Sequence, residues 1–344
     1  MIRNIKSRVD VIRNGVKISE LKFPITNAPR IRMNNDSELK SSLSGTFYPN
    51  DMIDWYADEL RPVISIDGEE KSMGIFRPAT VSKQYSETGL LISVEAYDRC
   101  WILQAQTTDD IIHLSSGTNY LQVIKEILTG AGIALVIDTP TNETLRMDRE
   151  DWEIGTSYLK IINQLLSEIN YNEIWFNSQG YAVLDQKHVL DAANIQRTYS
   201  ENDSKTLMIS NTRAEVDLFN APNVFICVCS NPDDNSVMKA VAENNNPASP
   251  TSIIRRGMRI YKMQKVDNIA SLSALEEYAQ MICRESMMLS EKLIVRTAIM
   301  PDCGINEVVA LAKSGEDGIC VETAWEASLM PGAEMTHTLE KVIT

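Results

Sequence analysis

Asn14-Gly15 and Asp67-Gly68 each sit inside an alternating run, RVDVIRNGVKISEL and VISIDGEEKSMGIF. Such dipeptides tolerate the positive φ that a type I′ turn demands, and the twist of that turn matches the twist of antiparallel strands. A chain that opens this way is committed to β structure over its first hundred residues. LLISVEAY then follows the turn SETG, with Leu91, Ser93 and Glu95 alternating against Ile92, Val94 and Ala96. Short strands separated by turns predict a barrel or sandwich over residues 1–112.

The period then changes. GTNYLQVIKEILTGAGI places Leu121, Ile124, Ile127 and Leu128 at helical spacing, with Thr118 as the expected N-cap and Gly130 and Gly132 as stop signals. ALVID reads as a strand. Thirty-eight residues on, GTSYLKII repeats GTNYLQVI, again followed by a helical stretch and the strand EIWF, which starts a hairpin closed at Gly180. Residues 113–200 are expected to form a small α/β domain of two helix–strand units. Internal duplication and shared capping chemistry both account for the repeat.

From 201 to 344 the period of two returns. LFNAPNVFICVCSN alternates, and ENNNPASPTS concentrates Asn, Pro and Ser into an expected mobile loop over 244–252. IRRGMRIYKMQKVD reads as a strand. SLSALEEYAQMICRESMML reads as a helix whose Ser273 and Glu276 have capping-box spacing. EKLIVRTAIM, INEVVALAKSGEDGICVETAWEASLM and EMTHTLEKVI read as strands. A second β domain, with one helix, thus closes the chain. The fold class is mixed α+β, mainly β.

Few chemistries fit. The chain carries 33 basic and 47 acidic residues, a net charge of −14, which disfavours binding to nucleic-acid phosphates or to an anionic membrane surface. No apolar run is long enough to span a bilayer, and the start of the chain lacks the apolar core of a signal peptide. Cys100, Cys227, Cys229, Cys283, Cys303 and Cys320 are scattered, as free buried thiols in a reducing compartment would be. His113, His188 and His337 show no metal-ligand spacing, and Cys227-x-Cys229 has no partner pair, so no metal is expected. Ser37-x-x-Lys40 lacks the companion motifs of serine–lysine enzymes. Asp109-Asp110 and Asp233-Asp234 lack the spacing of a calcium loop.

LISVEAYDRCWILQ, residues 91–104, is the stretch that looks most catalytic. Glu95 and Asp98 are three apart, which on a strand sends them to opposite faces. The simpler reading is a strand and its exit, with Asp98 accepting backbone N–H bonds and Arg99 pairing with a carboxylate. No catalytic residue, cofactor site or metal site is expected.

SVEAYDRCWIL followed by GTNYLQVIKEILTGAGI resembles the junction between the first barrel and the α/β domain in baseplate hub proteins of contractile phage tails. The nearest group is the PBSX-type XkdQ/YqbQ proteins, with the late control gene D proteins and the hub part of type VI valine–glycine repeat proteins (VgrG) behind them. NVFICV, SLSALEEYAQMICRE and NEVVALAKSGEDGICVETAWEASLMPGAEMTHTLEKV follow the order of that family's second barrel, so the resemblance covers nearly the whole chain. Cys100 stands where members commonly carry an aliphatic residue.

The resemblance implies two tail-tube-like β-barrels, 1–112 and 201–344, around the α/β domain. It implies a homotrimer joining the hexameric tail tube to the trimeric spike of a phage tail or other contractile injection particle. Tube, spike, tape measure and LysM-type or wedge baseplate proteins would be its partners. It would reside in the virion or tail-like particle, assembled in the bacterial cytoplasm, with DNA only passing through an acidic lumen and no membrane insertion. The alternative function is a peptidoglycan hydrolase of the tail, and a carbohydrate-binding β protein ranks below it.

Overall fold

The two hairpin signals fold as the turn chemistry requires. Asn14 and Gly15 have φ of 50° and 78°, and Asp67 and Gly68 have 53° and 94°. They close β1 (Ile5–Arg13) on β2 (Val16–Leu21) and β5 (Glu59–Ile66) on β6 (Glu69–Ser72), and β1 pairs β5, giving the sheet β2-β1-β5-β6. This is a computed structural model, and it describes residues 4–86, 89–145, 148–187, 191–201, 208–216, 221–231, 236–266, 272–287, 289–312 and 317–343. His188, Asp233 and Asp234 lie outside the described residues.

The remaining strands of the first segment are β3 (Arg30–Asn34), β4 (Ser41–Phe47), β7 (Arg77–Ser86) and β8 (Gly89–Tyr97). The middle of the chain supplies α1 (Cys100–Ala105), α2 (Tyr120–Gly130), β9 (Val136–Asp138), α3 (Tyr158–Glu168), β10 (Trp175–Phe176) and β11 (Ala182–Leu184). The last third supplies β12 (Arg197–Ser200), β13 (Ile209–Val216), β14 (Val224–Asn231), β15 (Ser236–Glu243), α4 (Ile253–Arg256), β16 (Tyr261–Lys265), α5 (Leu272–Met287), β17 (Leu289–Ala298), β18 (Glu307–Ala312), β19 (Gly318–Ser328) and β20 (Glu334–Ile343). The fold is mixed α+β and mainly β.

One large sheet runs β13-β17-β20-β19-β3-β4-β8-β7, with β18 on β19 and β12 parallel to β18. Strands from opposite ends of the chain meet at its centre: β3 pairs β19 antiparallel from Asn34↔Ala324 to Arg30↔Ser328. Val9 and Ile64 of the small sheet, Ile31, Leu43 and Val94 of the large one, and Trp325 and Met335 near the chain's end fill one apolar cluster. The contacts divide the chain into two compact units. One is Met1–Thr212 with Val295–Leu339, the other Arg213–Ile294 with Glu340–Thr344.

The helix–strand repeat of the sequence is also a repeat of structure. Gly117 and Gly155 adopt φ of 84° and 87° before helices of 11 residues each. The cap is one residue later than expected. Asn119 Oδ1, not Thr118, accepts from Gln122 N–H, and Ser157 at the matching position accepts from Lys160 N–H. α2 and α3 bury Leu121, Ile124, Leu128, Leu159, Ile162 and Leu166 in one core with the sheet β10-β11-β9.

In the second unit, β14 lies between β15 and β16. Phe225, Cys227 and Cys229 take its inward face and pack with Leu275, Ala279 and Cys283 of α5. Three expectations are corrected here. IRRG is the end of a helical turn closed by left-handed Gly257, not strand, because Ser252 caps α4 by accepting from Arg255 N–H. The run 244–252 is anchored at its two ends, with 245–248 exposed between them. Asn244, Thr251 and Ser252 are buried, and Asn244 Nδ2 donates to Ser249 Oγ and Thr251 Oγ1 at 2.9 Å each. Polar side chains that satisfy one another can be buried without apolar area, which a count of apolar residues overlooks. Finally, α5 begins at Leu272, ahead of the Ser273 expected to cap it.

Candidate functional site

LISVEAYDRCWILQ divides into the end of β8 and the helix α1. Glu95 is exposed and accepts from the Tyr97 hydroxyl at 2.7 Å, whereas Asp98 is buried. The two carboxylates therefore share no site. Asp98 Oδ1 accepts from Cys100 N–H at 3.0 Å, and Asp98 N–H donates to Ser41 O at 3.0 Å. Burial pushes the Asp98 carboxyl up to about 7, against the pull of the Cys100 N–H. Its Oδ2 has no hydrogen-bond partner among the described residues, and Asp98 lines a cavity of about 10 Å³ with Trp325 and Cys303. Arg99 forks onto Glu59, Nε to Oε1 and Nη2 to Oε2 at 3.0 Å each, and its Nη1 donates to Gly180 O at 3.0 Å. This stretch is thus a clamp between β5 and the β10–β11 hairpin.

The other sequence candidates separate. Lys40 is buried and donates to Asn35 O at 2.6 Å and Glu173 Oε2 at 2.5 Å, bonds that occupy it away from Ser37. His113 pairs with Asp151 at 2.7 Å on the surface. Asp110 Oδ1 accepts from Ile111 N–H at 2.7 Å, an exposed turn contact. The six thiols are all buried and none is bridged to another.

Four residues that motif spacing did not connect form a buried polar cluster in the first unit. Tyr199 on β12, Cys303 in the turn before β18, Glu322 on β19 and His337 on β20 are each at most 5% exposed. His337 Nδ1 lies 2.6 Å from Glu322 Oε1, and the Tyr199 hydroxyl donates to Glu322 Oε2 at 2.6 Å. That hydroxyl also lies 3.2 Å from His337 Nδ1 and 3.9 Å from Cys303 Sγ. On the far side of the ring, His337 Nε2 is 2.8 Å from Thr297 Oγ1. Burial and neighbouring Glu322 push both the Tyr199 hydroxyl and the Cys303 thiol far up. Beside them Arg197 bonds Glu307 at 3.2 Å and Asp302 O at 2.7 Å, and burial pushes the Glu307 carboxyl up.

A signal for this cluster was present in the strand pattern. Cys320 and Glu322 fall in one phase of β19, and Met335, His337 and Leu339 in one phase of β20, all buried. A charged residue in the apolar phase of a strand must find a partner. Thr297, His337 and Glu322 also reproduce the hydroxyl–imidazole–carboxylate order of a hydrolytic triad. All three are 0% exposed, and the Thr297 hydroxyl donates to Ala298 O at 2.8 Å, so no substrate carbonyl can reach it.

The other feature able to act on a partner is the edge of the large sheet. Among the described residues β7 pairs with β8 on one side only, and 79–80 and 82–85 are exposed along it, Tyr85 by 79%. An unpaired strand edge of this length is a template for another strand.

No protein-family model matches the sequence, and no curated protein does either. Solved structures do match it. The tail protein of Neisseria meningitidis MC58 aligns over 98% of this chain and 97% of its own, with a TM-score of 0.69 and 15% identity. The 43 kDa tail protein of Shewanella oneidensis prophage MuSo2 aligns over 97% and 98%, with a TM-score of 0.67 and 12% identity. An Escherichia coli type VI secretion component, described as similar to the T4 tail proteins gp27 and gp5, aligns over 97% and 77%, with a TM-score of 0.54 and 9% identity. The chain has the fold of phage tail proteins, along its whole length.

Proposed function

We propose that the chain is a structural hub of the baseplate in a contractile phage tail or tail-like injection particle, acting as a homotrimer between tube and spike. The observation that carries this reading is the large sheet. Its halves β13-β17-β20-β19 and β3-β4-β8-β7 are walls of four strands each, joined at β19–β3, with β13 and β7 at the two ends of that path. Three copies pairing β7 of one with β13 of the next would close the main path of the sheet into a ring, a heterologous contact that cyclic symmetry satisfies. Two unequal walls per chain make that ring pseudo-sixfold, matching a hexameric tube above and a trimeric spike below. In this reading 1–112 and 201–344 each carry one barrel, 113–200 lies between them, and the group is the XkdQ type. Tube, spike, tape measure and LysM-type or wedge proteins are its partners, and the particle is assembled in the cytoplasm.

Cryo-EM of the particle end tests it: three copies in a ring support the hub, and six copies or a peripheral position overturn it. The hydrolase reading has one observation in its favour, the triad order at Thr297, His337 and Glu322, and their burial stands against it. Release of fragments from purified peptidoglycan would restore that reading.

A further inference from the structure

The hydrogen bonds around His337 leave a place that a positive charge can fill. The Thr297 hydroxyl has one proton and donates it to Ala298 O. Its oxygen can then accept from His337 Nε2–H, 2.8 Å away, in one of the two ring tautomers. With the ring proton on Nε2, the Nδ1 lone pair points at Glu322 Oε1, 2.6 Å away. Two lone pairs cannot face each other at that distance unless a proton or a cation lies between them. Tyr199 supplies no such charge, because its single proton goes to Glu322 Oε2.

The surroundings suit a metal ion. His337, Glu322 and Cys303 present nitrogen, oxygen and sulfur donors that all lie within 4.8 Å of one another. The Tyr199 hydroxyl closes the fourth side. The Nε2–H bond to Thr297 is the outer partner that metal-bound imidazoles ordinarily have, fixing tautomer and ring orientation. Charge agrees as well: a carboxylate and a thiolate around a divalent ion sum to zero, the cheapest state for an interior this dry. Zinc–nitrogen and zinc–oxygen bonds of about 2.0–2.2 Å need the imidazole and carboxylate to part by less than about 1 Å.

We propose that His337 Nδ1, the Glu322 carboxylate and Cys303 Sγ hold a divalent ion of the zinc class, with Tyr199 as the fourth donor. The ion takes the place of the proton between Nδ1 and Oε1, and binding releases that proton and the one on Cys303 to solvent. It ties β12, β19, β20 and the turn before β18 together. Because the donors are sealed, the ion enters as the chain folds.

The test is refolding of the full chain from denaturant with chelator, with zinc, or with cobalt(II) as a spectroscopic probe. One cobalt per chain should survive gel filtration and show a thiolate-to-cobalt absorption band. Cys303→Ser should lose that band while keeping a native circular dichroism spectrum, and zinc should raise the thermal midpoint of the parent more than that of His337→Gln. If either variant fails to fold, the parent alone decides the matter by cobalt stoichiometry and the thiolate band. Refolded parent that holds no cobalt overturns the proposal, as does a cobalt spectrum unchanged in a folded Cys303→Ser. Both imidazole protons seen at His337 by NMR in zinc-refolded protein would show that a proton fills the gap instead, and would also overturn it.

Discussion

At the scale of single residues, two buried aspartates behave oppositely because their partners differ. Asp98 is buried with one carboxyl oxygen unpartnered among the described residues, and its pKa rises to about 7. The folded chain therefore binds more protons than the unfolded one between the ordinary aspartate value of about 4 and 7, so stability falls as pH rises through that window. Asp98→Asn keeps an acceptor for Cys100 N–H without the charge. Its stability relative to the parent, read from urea midpoints, should improve from pH 5 to pH 8; an unchanging difference would mean that Asp98 is not protonated in the fold. Asp98→Ala loses the acceptor too and should cost about 1–3 kcal/mol at pH 5. For Asp10, burial raises the pKa, but bonds from Arg8, Lys17 and Arg61 outweigh it and the net shift is down. Its contribution is present above the ordinary carboxylate range and is lost on acidification. Asp10→Ala should cost about 2 kcal/mol at pH 7, and the deficit should shrink as the parent is acidified; a deficit that grows instead would contradict this reading.

Among the elements, the helix repeat offers the sharpest check. Asn119 and Ser157 hold equivalent caps on helices that share one core. Asn119→Ala and Ser157→Ala should each lower stability by about 1 kcal/mol. The double variant should lose nearly the sum, since the caps share no partner, and calorimetry of the four proteins measures it. The β10–β11 hairpin is constrained differently. Gly180 has φ of 76°, and an added Cβ would meet Ile75 Cγ1 at 2.7 Å. Gly180→Ala should lower the thermal midpoint more than either cap variant, because conformation and space both oppose it. An equal or smaller loss would show that the hairpin can shift away from Ile75.

For the whole molecule, assembly should depend on a strand edge that folding does not use. In antiparallel pairing, neighbouring N–H groups point alternately toward and away from the partner strand. Of Ser82→Pro and Lys83→Pro, one therefore removes an outward N–H of β7 and spares the bonds to β8. That variant should keep the parent's thermal midpoint yet be absent from purified particles by mass spectrometry. Normal incorporation of both variants would mean that the β7 edge does not pair as the proposed ring requires.

The turns, the helix repeat and the alternation of β8, β14 and β20 were legible in the amino-acid sequence, because each depends on residues within one or two turns of chain. Asn14-Gly15 needs no neighbour to be a hairpin. The resemblance carried by 93–103 and 117–133, and by the strand and helix runs of the last third, rested on the same local order, and so predicted the fold that the solved structures match. What local order cannot express is adjacency. Residues 30–34 become partners of 324–328 only when the chain's two ends are brought into one sheet. The run 244–252 looked unable to order itself because its hydrogen bonds are made to side chains within the loop and to Asn223. Tyr199, Cys303, Glu322 and His337 carry no common spacing, since strands β12, β19 and β20 bring them together from across the sheet. Composition and period select the elements through local sterics and solvation, while long-range pairing decides which polar groups are buried together and so where chemistry becomes possible.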